Sequence, residues 1–556
     1  MNEIRHITAR LLLALVAVTV CCAATPVVNL RVGPALPPTS SAQDNGTDQR
    51  VKALIAEGRE ALERGDERAA RASFERALSI SPQDVAANTY LGILDDRAGD
   101  LKGAEKHFAA AAIAAPFSPS AHNNYGAFLA RTGRTDLAAA QFEKSLKLNP
   151  DQPNALVNLA QVRFASGKTE DLRVALELFE RAQTLAPDAE VARALVVTAL
   201  RLGEKQKAAS GYHAYAEQLG RQNAPLPTAA SRAELGQALL EAGLADEAIE
   251  ELRAAVAQDA SNVPAVVALG RAHLARGDIR EAGRTLESAV ARGLDAAPIY
   301  AALAEVYDRA GYIENAIPAM RLAIARDPAN EKYHLRYGLL LTDSKAPGAA
   351  IIRLQEAVKE FPNSSRLWLA LGIAELNDGK SDDAQKSFER SLELDPKAVP
   401  ALAYLGFTYA ERGQYDEAIK FYERAISADA NLAAPYYLTA DVMLKRTDFD
   451  QPRVEKLLRR AIELDPSFAS AHLALARLHA RAGRLTDAAS EFEQVIKLNP
   501  ESAEAHYQLG RVYTQLKRAA DAQRELALFQ QLKETQKQGE EKERRDLVRR
   551  LANVRF

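Results

Sequence analysis

The sequence predicts an all-α fold, a solenoid of stacked helix–turn–helix pairs, and three observations predict it. From Val51 onward one block recurs, usually every 34 residues. Within the block, small residues and prolines return at fixed places rather than scattering. Aromatic residues make up only 6% of the chain beside abundant Ala, which suits close helix packing better than a β-rich core. Self-similarity takes precedence over length: 556 residues would otherwise suggest several globular domains at roughly 150 residues each. Lys plus Arg number 71 against 74 Asp plus Glu, for a net charge of -3. That balance gives no electrostatic case for nucleic acid or an anionic membrane as partner. Cys21 and Cys22 are the only cysteines, so disulfide scaffolds, Cys-ligated zinc and iron–sulfur clusters are excluded for the rest of the chain.

The first element is an export signal over residues 1–24. Arg5, His6 and Arg10 lie in a basic start, and Leu11 to Val20 is apolar but for Thr19. Small residues follow, and Pro26 ends any helix. Cleavage after Ala24 would place Cys22 and Ala24 at the required small-residue spacing. The run is short for a membrane span, which needs about 20 apolar residues. Val20 before Cys21, and Cys21 before Cys22, make a poor lipidation site, so a lipid anchor and an uncleaved anchor stand as alternatives. Residues 25–50 include PALPPTSSAQDNGTDQR, have no helical or strand period, and read as a flexible linker. The expected location is outside the cytoplasm, periplasmic or secreted, with a membrane reached only through the signal or a lipid.

The repeats come next. Starts at 51, 85, 119, 153, 190, 229, 263, 297, 331, 365, 399, 433, 469 and 503 give fourteen repeats, three of them stretched. The eighth position is small, as in Gly58, Gly92, Gly126, Gly236, Gly270, Gly338, Gly372, Gly406 and Gly510, with Val197 the exception. A small residue there lets the two helices of a pair lie close. The twentieth position is Ala in Ala70, Ala104, Ala138, Ala384, Ala418 and Ala522, and in the stretched twelfth repeat Val454 takes that role. A larger group there would overpack the contact, at about 1–3 kcal/mol. Phe74, Phe108, Phe142, Phe179, Phe388 and Phe492 fill the space left. Pro82, Pro116, Pro150 and six equivalents sit where one pair ends and the next begins, because proline lacks the N–H donor and crowds the preceding turn. The array divides into an N-terminal part, 51–228, and a C-terminal part, 229–536. The fifth repeat, with Val197, His213 and the loop GRQNAPLPT, reads either as a hinge or as an eroded copy. Residues 537–556 are highly charged and read as a capping helix, with partner docking as the alternative.

On these columns the block resembles the tetratricopeptide repeat (TPR) family over about 51–536. The resemblance implies a TPR helix–turn–helix solenoid forming a right-handed superhelix, whose first helices line a concave groove for a protein or peptide ligand. Family positions 2, 5, 6 and 9 of the first helix face that groove. They place Asn123, Asn124, Asn154, Asn158 and Gln161 there, amides that can both donate to and accept from a peptide backbone. Farther along they place Tyr404, Phe407, Tyr437, Arg477, Tyr507 and Arg511, residue types favoured as interface anchors. Lys332 and Arg336 match the third step of the family's carboxylate clamp. Val267, Arg271 and Ala302 break its earlier steps, so an acidic segment is attracted without a complete clamp.

Catalytic motifs dissolve under the register. Gly167-Lys168-Thr169 and Gly379-Lys380-Ser381 lack the upstream Gly of a phosphate loop, since Val162 and Ala374 stand there. His472 and His479 do not form the HExxH pattern of a zinc helix. No GxSxG elbow occurs. No metal, cofactor or enzyme activity is expected, and the repeats leave no room for a separate catalytic domain. The expected function is a non-catalytic protein- or peptide-binding scaffold outside the cytoplasm. The alternatives are a periplasmic TPR component of an envelope polysaccharide-export or secretion machine, and an enzyme-associated TPR regulator.

Overall fold

Local signals set the helix boundaries in this computed structural model, which describes residues 45–221, 226–344 and 346–533. Asp84, Ser118, Asp188, Asn262, Ser364 and Asp450 each accept the backbone N–H three residues on, satisfying a donor that the first helical turn leaves orphaned. Gly99, Gly203 and Gly277 close first helices with left-handed backbone, which Gly adopts without a Cβ penalty. Gly167 and Gly379, the glycines of the two false phosphate loops, likewise have positive φ and sit in turns between paired helices. The described residues contain 28 helices and no strand, in fourteen consecutive pairs from Asn45–Glu63 with Glu67–Ile80 to Ala503–Gln515 with Ala519–Lys533.

The first helix begins earlier than the linker assignment allows. Residues 45–50 are helical, and Asp48 in the first turn receives the Lys52 ammonium at 2.7 Å, a spacing only a helix makes favourable. The signal segment 1–24 and the charged segment 537–556 lie outside the described residues.

The chain divides into two halves, up to Leu294 and from Asp295. This division falls at the end of the seventh repeat. In the N-terminal half one hydrophobic core runs from Ala104 to Ala272, and a second, from Val51 to Leu94, fills the first repeats. The fifth repeat has both helices, Ala189–Leu202 and Lys205–Leu219, and it joins the large core through Val191, Leu195, Val196, Ala208 and Tyr212. In the C-terminal half, successive clusters centre on Leu354, Phe388, Tyr422, Leu458 and Phe492.

The eighth-position column works by close approach. A Cβ built on Gly126 would meet the Phe142 ring at 2.6 Å, and one on Gly372 would meet Phe388 at 2.5 Å. Each of the nine repeats with Gly in this column thus trades a missing side chain on its first helix for a large apolar knob on its second. The fifth repeat reverses the trade. Its cap is Asp188, so the register starts one residue earlier than 190 and places Val196 in the column. Room comes instead from Gly211 on the second helix, where a Cβ would lie 2.4 Å from Leu195 Cδ2. In the fourth repeat the second helix spans 17 residues, and its fully buried small residue is Ala175.

Candidate functional site

The amide group expected to line the groove is instead sealed between repeats. Asn123 and Asn158 are fully buried and Asn124 is 2% exposed. Asn158 Nδ2 donates to Asn123 Oδ1 at 2.9 Å, from the Pro153–Ser166 helix to Pro119–Arg131. These three are therefore a polar rivet joining the third and fourth repeats, and a ligand cannot reach them without moving both helices. Asn154 and Gln161, one turn to either side, are half-buried. Asn158→Ala should lower stability by about 1–3 kcal/mol, the usual cost of disrupting a buried hydrogen bond. Denaturant unfolding checks this, and a variant of unchanged stability would refute the rivet.

The aromatic and basic candidates separate by exposure. Tyr404 is 2% exposed and stacks on Phe388 with ring centroids 5.4 Å apart, so it is a core residue. Phe407 is half-buried. Tyr437 is half-buried, its ring 5.0 Å from Phe468 in the turn that leads into the next repeat. Arg477 is exposed and ion-paired with Glu504. Tyr507 rests on Phe529 at 4.9 Å, with the exposed Arg511 guanidinium 5.8 Å from its ring centroid. Of the clamp pair, Arg336 is held by Asp308 of the preceding repeat, while Lys332 is exposed at the rim of a small recess shared with Asn330, Glu331 and Arg366.

A concavity lies in the C-terminal half, at the starts of first helices. It is a cleft of about 1050 Å³ running from the ninth repeat to the end of the twelfth. Ser364, Ser365, Arg366 and Leu369 line its upstream end. Ala398, Val399, Pro400, Ala433, Ala434 and Pro435 line its middle, and Leu464, Asp465, Ser467 and Phe468 its downstream end. Three aspartates at equivalent turns border it. Asp395 accepts the Lys397 N–H at 3.1 Å, Asp429 the Asn431 N–H at 2.9 Å, and Asp465 the Ser467 N–H at 3.0 Å. Each bond locks its turn while leaving a second carboxylate oxygen. Small apolar side chains between such fixed polar turns suit an extended chain, whose backbone can come close and whose polar groups need partners.

The turns carry a second device that the columns did not reveal. The fourth residue of several first helices bonds back to a carbonyl six residues earlier. His122 reaches Pro116 O at 3.0 Å, His334 Pro328 O at 2.8 Å, Trp368 Pro362 O at 3.1 Å, His472 Pro466 O at 3.2 Å and His506 Pro500 O at 3.0 Å. The signal in the sequence is a polar donor six residues after the pair-ending Pro. Among the described residues no group of three or more His, Cys, Asp or Glu is arranged to hold a metal ion. No described helix is long and apolar enough to cross a membrane.

Helix pairs in unbroken succession, stacked on small-residue columns, define a helical-repeat solenoid. The chain belongs to the tetratricopeptide repeat family: TPR models match residues 55–119, 239–306, 297–330, 369–433 and 455–532, and the middle TPR-like domain of cilia and flagella-associated protein 70 matches 94–220. One curated relative, cellulose synthase operon protein C of Xanthomonas axonopodis pv. citri (strain 306), is 41% identical over 64 residues. That match covers 12% of this chain and 4% of the relative, so the chain spans only a small fraction of that protein. Among solved structures, yeast Tom70 is 16% identical at TM-score 0.41, covering 78% of this chain and 96% of Tom70. MamA is 23% identical at TM-score 0.28, covering 30% of this chain and 96% of MamA.

Proposed function

We propose that the chain is a non-catalytic scaffold that binds a protein or peptide, acting outside the cytoplasm. The cleft across the ninth to twelfth repeats carries this reading, because it offers successive fixed turns to one extended ligand. Of the candidate residues, Phe407, Tyr437, Arg477, Tyr507, Arg511 and Lys332 keep exposed or half-buried side chains in the C-terminal half, and Asn154 and Gln161 do so in the N-terminal half. Capture from the native envelope identifies the partner. Replacing Arg366 and Lys397, two exposed residues of the cleft lining, together by Ala should then weaken its binding about thirtyfold, the loss of about 2 kcal/mol that marks a hot spot. Unchanged affinity in a folded variant rejects the cleft. Export rests on residues 1–24: the mature chain should begin at Thr25, and an intact Met1 on protein from an exporting bacterial host sinks it.

The short identity with cellulose synthase operon protein C favours one second reading, a TPR component of an envelope polysaccharide-export or secretion machine. Neighbouring genes for a synthase or an outer-membrane pore support it, and their absence favours the general scaffold.

A further inference from the structure

His472 is placed where both of its ring nitrogens meet acceptors. Its Nε2 lies 3.2 Å from Pro466 O and its Nδ1 lies 2.6 Å from Glu491 Oε2. A carbonyl and a carboxylate can only accept, and a neutral imidazole has one N–H to give. The two contacts together therefore call for the imidazolium, which has two. His122 makes a useful contrast. It faces Pro116 O and the amide of Gln141, and an amide can turn its NH2 toward the ring, so a neutral imidazole satisfies that site. The arrangement of His472 recurs one repeat later in His506, between Pro500 O at 3.0 Å and Glu525 Oε2 at 2.6 Å.

What His472 holds is the downstream end of the cleft. Pro466 lies in the turn whose Leu464, Asp465, Ser467 and Phe468 line it, and buried Phe468 braces Tyr437. We propose that His472 is a pH-sensitive latch on the cleft, a positioning residue that in its charged form ties this turn to the second helix of the thirteenth repeat. This rests on the cleft being the binding site and adds its regulation. The charges facing His472 are Glu491, from the Leu485–Leu498 helix, and Asp465, from the turn itself. Arg460 and Glu463 at the end of the preceding Gln451–Leu464 helix pair with each other at 3.1 Å. The hydrogen bond to Glu491 lifts the imidazole above its ordinary value of 6.5, against the effect of burial. A raised folded value means that the latch contributes fully below 6.5 and is lost as pH rises through the folded value. The turn should thus be fixed in mildly acidic conditions and loosened in alkaline ones.

Hydrogen exchange on the full chain reads this without any ligand. Amides of residues 464–470, corrected for intrinsic rates, should lose at least about threefold protection between about pH 5.5 and about pH 8.5, either side of the histidine range. His472→Gln keeps a donor for Pro466 without a titrating ring, and should show the same protection at both. Glu491→Gln removes the facing charge and should move the transition to lower pH. Equal protection of the native turn at both pH values overturns the latch, as does a His472→Gln variant that keeps the pH dependence. Binding of the captured partner is measured separately. If cleft substitutions leave it unchanged the binding-site reading fails, whereas the exchange result tests the latch alone.

Discussion

Replacing Arg232 by Met should destabilise the N-terminal half by about 3–5 kcal/mol, the cost of stranding a buried charge. Glu251 is 3% exposed, and Arg232 Nη1 reaches its two carboxylate oxygens at 3.3 and 3.1 Å. Tyr212 adds a hydroxyl donor to the same carboxylate at 3.2 Å. Burial already holds the Glu251 carboxyl above its ordinary value of 4.5, with Arg232 pulling it back. Without Arg232 it rises further. The folded chain then binds a proton more tightly than the unfolded chain, so the variant should regain stability as pH falls through the new folded value toward 4.5. The double variant Arg232→Met with Glu251→Met removes both charges and should recover most of the loss. Urea unfolding of the three proteins checks this. A single variant as stable as the parent would show that the carboxylate reaches water.

The same cluster shows why the array was legible and its details were not. A column that repeats fourteen times averages out local noise, so Gly126 facing Phe142 and Gly372 facing Phe388 could be expected from spacing alone. A repeat that shifts its own register has no such average. In the fifth repeat Val196 enters where others hold Gly or Ala, and the space it needs comes from Gly211 across the pair. Nothing in the 34-residue period announces that exchange; only the Asp188 cap fixes the true start. The lengthened second helix of the fourth repeat likewise moves the small-residue role to Ala175.

The site was harder to read for a different reason. Family positions say which way a residue points on one helix, but the neighbouring helix decides whether it stays accessible. Asn123 and Asn158 lie 35 residues apart, nearly one repeat, and that spacing brings them into contact with each other instead of with a ligand. Tyr404 is lost to Phe388 in the same way. The cleft itself is built from turns, Asp395, Asp429 and Asp465 among them, and positions on a helix face carry no information about turns. Their shared spacing was present in the sequence as a column, with a solvated acidic turn as its ordinary meaning.

The Gly–Phe trade makes the last expected result. Phe142 is fully buried, and the Gly126 it covers has no side chain to swing into a void. Phe142→Ala should therefore cost about 3–5 kcal/mol, the upper part of the range for core truncations, because the backbone contact that would collapse the cavity is already closed. Phe142→Leu should cost far less, under about 1.5 kcal/mol, as a hydrophobic replacement of similar role. Leu252, Leu286 and Leu354 fill the equivalent place opposite Gly236, Gly270 and Gly338. Solenoid repeats are stabilised by their neighbours, so the loss should appear first as faster hydrogen exchange in the helices Pro119–Arg131 and Thr135–Leu148. Equal stability of the Ala and Leu variants would mean that the third repeat closes over the gap. The small-residue column would then reflect helix spacing alone, not a demand for the ring that covers it.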